Sequence, residues 1–430
     1  MLFCNIAVLD ENLEYKTNMF VGTRGAYIEY IGAQKPQEDF GEEYMGEGKL
    51  LVTAFFNAHC HSSMTLLRGY AENLPLADWL NKKIFPFEAK LTENDVFNGA
   101  MLGIAEMLRT GTASFTDMYM FGEGVCAAAA ETGMKCNYSS SMVCFDSSAY
   151  TDLPVCNETR LLYEKYHGFD DGRLLTDVCI HAEYTSTPAA ASGAAEFARE
   201  RGLNIHLHLS ETKAEHEQCR QRHSGMTPAE YFDSLGVFEN RVTAAHSVWI
   251  TDSDAEIIKR AGASIASCPS SNLKLGSGFF RAPYMLDKGV NVALGTDGAA
   301  SSNNLNMLKE IYLFALIHKG NTLDASVISP RQALYAATKA GAVSQGRSDC
   351  GALKVDNRAD LTVFDLTAPN MCPMADGADM LVYSAQGDDV IMTMVDGRVL
   401  YRDGEYLTLD IEKVRFNAQK SRERIAGELV

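Results

Sequence analysis

Between Leu51 and Gly295, apolar strand-like runs alternate with helical segments, and this rhythm constrains the fold of the 430-residue chain more than any other feature. The runs are Leu51–Asn57, Ala113–Met118, Lys135–Val143, Leu175–His181, Asn204–Leu209, Val242–His246, Ala263–Ser267 and Val290–Gly295. Several have the length and apolar continuity of strands buried on both faces. Helical patterns separate them. Thr92-Glu93-Asn94-Asp95 reads as a capping box opening a helix through Leu108, which Gly111 closes. Ala-rich Gly124–Thr132, Pro188–Arg201 and Asp252–Arg260 follow as further helices. Eight such strands in this order predict an α/β fold, a (β/α)8 TIM barrel over residues 51–345.

The chain ends read differently. Leu2–Val8 and Gly25–Gly32 have the alternation and glycine boundaries of antiparallel hairpins. Strand patterns return at Asp360–Asp365 and Asp389–Asp396, and Asp396-Gly397 is a hairpin turn signal. A helix over Ile411–Glu428 ends the pattern. Residues 1–50 and 346–430 are therefore expected to meet as one small β-sandwich domain carrying that helix.

Bulk properties narrow the function. A formal net charge of −18 repels nucleic-acid polymers and anionic membranes, and favours a small-molecule substrate. No apolar run is long enough to span a bilayer, and no signal-peptide pattern opens the chain. Eleven cysteines without a CxxC pair read as reduced thiols, so a cytoplasmic location is expected. A homo-oligomer is compatible with such a chain.

In a (β/α)8 barrel the working residues lie at the C-terminal ends of the strands. His59 and His61 lie at the end of the first run, in Asn57-Ala58-His59-Cys60-His61, and strand alternation points both the same way. His208 ends the fifth, His246 the sixth, and Asp297 follows the eighth in Gly295-Thr296-Asp297-Gly298. Neutral imidazoles with one carboxylate suit a divalent ion, zinc before iron or manganese, with an open position for water. Such an ion lowers the pKa of its water from about 15.7 to about 7. Glu211, just beyond His208, is placed to carry a proton from that water to the substrate. His206 shares the parity of His208 but lies deeper in the strand, and reads as a core or supporting residue. The fourth run, Val178-Cys179-Ile180-His181, offers no Lys to bridge two ions, so one metal is expected.

These residues, with Ala245-His246, Ser271-Asn272-Leu273-Lys274-Leu275 and Ala359-Asp360-Leu361, resemble in order the pattern of the amidohydrolase superfamily and its mononuclear aminohydrolases. The most similar branch is the 5′-methylthioadenosine/S-adenosylhomocysteine deaminases, with the triazine chlorohydrolases nearby. The resemblance implies that His59, His61, His208 and Asp297 bind zinc, that His246 polarises the hydrolytic water, and that Glu211 shuttles a proton to a ring nitrogen. It further implies that Trp79, Glu88, His181 and Ser301 touch the substrate, Glu88 through the ribose hydroxyls. For Trp79, packing within a helix is an equal reading. The implied reaction is hydrolytic deamination of an adenine nucleoside to the inosine product and ammonia. The alternative is deamination or dechlorination of an s-triazine, pterin or free nucleobase. Three positions depart from the pattern: Thr53-Ala54 stands where Pro-Gly is common, Ser267-Cys268-Pro269 where a His often ends the seventh strand, and Arg160 is out of register with the arginine used at the far end of the substrate.

Overall fold

The computed structural model describes residues 1–429, so Val430, the last position of the expected small domain, lies outside the described residues. At its centre is a TIM-barrel-type α/β assembly. The strands are Phe55–His61, Thr112–Tyr119, Lys135–Ser140, Leu174–Thr176 with Val178–Ile180, Ile205–Leu209, Val242–His246, Ser264–Ser267, and Asn291–Leu294 with Asp297–Gly298. Every pairing among them is parallel. The ladder is interrupted twice and so forms two five-stranded sheets. At Asp177 the fourth strand changes partner, Leu174–Thr176 pairing with the third strand and Val178–Ile180 with the fifth. Across Gly295 and Thr296 the eighth strand passes from the seventh to the first.

Two side-chain choices hold that last crossing. A Cβ on Gly295 would stand 2.7 Å from the His59 carbonyl oxygen, so only glycine permits the approach. Asn57 then joins the strands through its side chain. Its Oδ1 accepts from the Thr296 amide at 3.0 Å, and its Nδ2 donates to Thr296 Oγ1 at 2.7 Å.

The expected first strand, Leu51–Asn57, is in fact parts of two strands. Lys49–Thr53 belongs to the sheet built from the chain ends, and Phe55–His61 to the barrel. The change falls at Ala54, whose amide donates to Asp360 O, while Phe55 donates to Gly111 O. Both pieces are almost wholly buried, so the apolar run is unbroken across the change and periodicity could not mark it. The third strand stops at Ser140 rather than Val143; the segment beyond turns outward, leaving Phe145 77% exposed.

Both chain ends enter one nine-stranded sheet, joined where Leu361–Asp365 runs antiparallel to Lys49–Thr53. By pairing this is a single sheet, in place of the two facing sheets of the expected sandwich. Alternation gives it two apolar faces. Leu51, Leu361, Val363, Met392 and Met394 pack with Phe3, Val21 and Ile28 in a core of their own. Leu50, Val52, Phe364 and Leu400 join the core of the barrel. The helix Ile411–Glu428 packs on Glu93–Arg109, whose capping box at Thr92 and Asp95 is formed as expected.

One buried charge cluster binds the sheet to the barrel. Lys135, at the start of the third strand, pairs with Asp360 and, at 2.6 Å, with Asp396. Removing one partner of a buried pair leaves uncompensated charge and typically costs about 3–5 kcal/mol. Lys135→Met keeps the apolar stem, strands Asp360 and leaves Asp396 only the Arg358 guanidinium, 3.5 Å away. It is expected to lower stability by about that amount at neutral pH, read as the midpoint of denaturant unfolding; an unchanged midpoint would show that the cluster is neutral.

Candidate metal centre

The inner ends of the first, fifth, sixth and eighth strands bring together the residues marked in the sequence. His59 and His61 face the same way, their ring centroids 4.8 Å apart. Cys60 between them turns away and is fully buried, with Sγ 4.0 Å from Asp117 Oδ2. His208 joins them with its ring 5.0 Å from His59 and 5.5 Å from His61. One donor atom from each of these three histidines lies within 4.8 Å of the others.

The surroundings fix which ring nitrogen is free. His208 Nδ1 lies 2.8 Å from the His181 carbonyl, and His61 Nδ1 lies against the Met118 carbonyl. A carbonyl accepts only, so both Nδ1 atoms carry a proton and both Nε2 atoms face the centre. His59 Nδ1 sits 2.8 Å from His206 Nε2, while His59 Nε2 is buried without any hydrogen-bond partner. Asp297 completes the set. Its Oδ2 accepts from Ser271 Oγ at 2.6 Å and Ser301 Oγ at 2.7 Å, which leaves Oδ1 at 3.1 Å from His61 Nε2 and 3.5 Å from His59 Nε2.

Burial decides most of the charge states. It holds His59 down at about 3 and His208 well below its ordinary range, so both are neutral at physiological pH. Burial also opposes charge on His61, but the Asp297 carboxylate carries it up to about 9. Asp297 itself is held well below the usual carboxylate range, because His59 and His61 outweigh its burial. Imidazole lone pairs, an ionised carboxylate and an orphaned buried Nε2 are what a divalent metal ion requires, and the donor set fits one.

His246 and Glu211 stand beside this set. His246 lies in the left-handed region (φ +64°), as do Ser210 (φ +46°) and Asp297 (φ +56°), each where a strand ends at the centre. Non-glycine residues adopt that conformation at a cost, and such residues cluster at working sites. His246 Nδ1 donates to Asn272 Oδ1 at 2.8 Å, which turns Nε2 towards Glu211 Oε2, 4.0 Å away. Burial pushes Glu211 above the ordinary carboxylate range, with His246 and Ser277, whose hydroxyl donates at 3.3 Å, acting against it. Burial opposes charge on His246, while Glu211 and Asp297 raise its pKa above the usual value.

The four residues marked for substrate contact are placed differently from one another. Glu88 is buried beside Tyr119 and His61; burial pushes it up to about 7, against the pull of both neighbours. It ends a short helix, Phe85–Glu88, entered from a π-helical stretch at Leu80–Ile84, so the segment is helical rather than a simple turn. The His181 ring lies 4.9 Å from His208, and its Nδ1 meets Thr185 Oγ1 at 3.0 Å. The Ser301 hydroxyl is turned onto Asp297. Trp79 is buried in the main core and donates its indole N–H to Ala71 O at 3.2 Å. Arg160 lies on the helix Pro154–Tyr166 and donates to Asn157 Oδ1.

Two contributors carried no role in the sequence reading: Asn272 orients His246, and Ser271 holds Asp297. His206, read from the sequence as a core or supporting residue, backs His59. Ser271 and Asn272 belong to a segment whose pattern was visible, but nothing local says which strand end they face. Cys268, beside the Ser267 departure, is fully buried with a donor atom within 4.8 Å of those of His59 and His246.

Comparison with known proteins agrees with this arrangement. The amidohydrolase family model matches residues 50–400. A 5-methylthioadenosine/S-adenosylhomocysteine deaminase from Acetivibrio thermocellus is 39% identical over 94% of each chain. A protein of the same name from Thermoanaerobacter pseudethanolicus is 37% identical over 98% of each. Among solved structures, a zinc-bound adenosine deaminase from Xanthomonas campestris superposes with a TM-score of 0.93 at 30% identity, covering 99% of this chain and 98% of that one. A zinc-bound atrazine chlorohydrolase from Arthrobacter aurescens has a similar fold, with a TM-score of 0.91 at 20% identity over 98% of this chain and 99% of that one. With strand order, donor set and sequence in agreement, the chain belongs to the amidohydrolase family and is a hydrolase acting on carbon–nitrogen bonds.

Proposed function

We propose that this chain is a zinc-dependent aminohydrolase that deaminates an adenine nucleoside of the adenosine, 5′-methylthioadenosine or S-adenosylhomocysteine type. The observation that carries the reading is the buried His246–Glu211 pair set against the converging His59, His61 and His208 and the Asp297 carboxylate. The names of the relatives and of the zinc-bound neighbour support the substrate class and the metal. The catalytic unit is a (β/α)8 barrel beginning at about Ala54, and the chain ends form the small domain.

His59, His61, His208 and Asp297 would hold one ion, which when bound polarises water and lowers its pKa from about 15.7 to about 7. The remaining work falls to the protein. Ser271 and Ser301 hold Asp297 Oδ2, which keeps Oδ1 turned inward. His246, its Nδ1 proton fixed on Asn272, orients the attacking water through Nε2. Glu211, facing His246 across 4.0 Å, accepts a proton from that water and delivers it to a ring nitrogen. The water oxygen bonds to the ring carbon bearing the amine, the second proton of that water passes to the amine, the carbon–nitrogen bond breaks, and ammonia leaves as the ring carbonyl forms, the first proton staying on the ring nitrogen. Glu88 accepts from the ribose hydroxyls.

Ammonia release over adenosine, 5′-methylthioadenosine, S-adenosylhomocysteine, adenine, guanine and an s-triazine tests the reading. Losing a charged acceptor costs about 1.5–3 kcal/mol, so Glu88→Ala should lower kcat/KM for ribonucleosides roughly 10- to 150-fold. Adenine, which has no ribose, should be little affected. A carboxylate raised to about 7 accepts two hydroxyls only above that pH. The ratio of wild-type kcat/KM for a ribonucleoside to that for adenine is therefore expected to fall as pH drops through about 7, and in Glu88→Gln that ratio should lose its pH dependence. Equal losses on adenine and adenosine would make Glu88 structural, and a preference for triazines or free bases would move the substrate assignment.

A further inference from the structure

Glu211 must reach the centre from a position where strand alternation would send it outward. His208 points inward at the end of the fifth strand, and two residues on the parity would give the inward place to Ser210. The chain instead turns at Ser210, whose φ of +46° is disfavoured for a residue with a side chain. This turn leaves successive backbone amides with no strand partner, and Glu215 takes them. Glu215 Oε1 accepts from the Ser210 amide at 3.1 Å, and Oε2 from the Glu211 amide at 2.8 Å and the Thr212 amide at 3.4 Å. Its own amide donates to Thr212 Oγ1 at 3.1 Å, closing a capping box on the helix Lys213–Arg222.

Three other capping boxes built on a threonine and a carboxylate show what is distinctive. At Thr92, Thr227 and Thr251 the carboxylate of Asp95, Glu230 or Asp254 accepts the amide of its cap residue and none before it. Glu215 reaches two amides further back, to the residue that carries the proton-handling carboxylate and the one before it. It does so while fully buried, and burial together with the charge of Glu211 pushes it up to about 7. The burial is shared with Asp95 and Asp254; the reach is not, and a capping role alone does not need it.

We propose that Glu215 is a positioning residue for the reaction, its carboxylate holding the Ser210 turn so that Glu211 faces His246. This rests on the reading of Glu211 as the proton carrier. The test is a double-mutant cycle of Glu215→Gln with Glu211→Gln, measured on the zinc-loaded protein with the best nucleoside. Glu215→Gln keeps one acceptor and sets an amide group against a backbone N–H. It is expected to lower kcat roughly 10- to 100-fold with KM and bound zinc little changed. Added to Glu211→Gln it should lower kcat no further, because the residue it positions is already disabled. Thr212→Ala, which removes the cap and leaves the carboxylate, should lower the thermal midpoint while kcat stays near wild type. If Glu215→Gln does not fold, Glu215→Asp, which withdraws the carboxylate, makes the same comparison. Additive losses in the cycle, or an equal kcat loss in Thr212→Ala, overturn the proposal while leaving Glu211 in its role. A fully active Glu211→Gln overturns the reading of Glu211 and the proposal with it.

Discussion

Glu211→Gln is expected to lower kcat by about 10²- to 10⁴-fold while the protein keeps its metal. The substitution changes little else. Gln has the same length, and its carbonyl oxygen can still accept from Ser277 Oγ, which lies 3.3 Å from Glu211 Oε1. What it lacks is the ability to take a proton and release it. Glu211 forms no hydrogen bond or ion pair with His59, His61 or His208, and its ionic partner is His246 Nε2 at 4.0 Å. Metal content and catalysis should therefore separate. Kinetics with parallel elemental analysis check this. Loss of the metal together with the rate would make Glu211 a ligand, and a rate within a few-fold of wild type would leave the proton to another group.

Much of this separation was legible in the sequence, because it follows from parity and from position on the strands. His59 and His61 are two apart on one strand, and His208, His246 and Asp297 fall where parallel strands end. Those facts survive an error of one or two residues in any boundary. The Leu51–Asn57 run did not survive, because a strand of the terminal sheet and a strand of the barrel are both buried and abut at Ala54. Apolar continuity reports burial; it is silent about a change of hydrogen-bond partner. The terminal sheet shows the same limit. Alternation announced strands at both ends of the chain, while their union into one sheet depends on pairings more than 300 residues apart, such as Leu361 with Thr53.

The supporting side chains were least legible. Asn272 faces His246 because the turn after the seventh strand brings a short helix, Pro269–Lys274, over the sixth. Ser301 was marked as a substrate contact, yet its hydroxyl is turned onto Asp297, and nothing in Ala300-Ser301-Ser302 distinguishes the two uses. Trp79 had two equal readings; its buried ring and the bond to Ala71 O supply the packing one with a concrete partner. The left-handed turns at Ser210, His246 and Asp297 leave no signature either, since none uses glycine. They break the alternation that made the neighbouring histidines readable.

Removing the metal should abolish turnover, and the sequence of losses among the histidines should follow their geometry. His208→Ala deletes an Nε2 whose lone pair is aimed inward by the His181 carbonyl, so the isolated variant should carry well under one zinc per chain and be inactive. His206 is different. It supplies no inward lone pair; its Nε2 lies 2.8 Å from His59 Nδ1 and fixes the orientation of that ring. Partners of this kind typically contribute 10- to 100-fold in metal affinity. His206→Ala should thus purify with some zinc, lose it to a chelator at roughly 10- to 100-fold lower concentration than wild type, and regain activity when zinc is restored in excess. Competition with a chromogenic chelator measures the affinity, and ammonia release measures the recovery. If His206→Ala holds zinc as tightly as wild type, the contact to His59 is packing alone. If it cannot be rescued by zinc at all, His206 has a place in the chemistry that its buried position behind His59 does not explain.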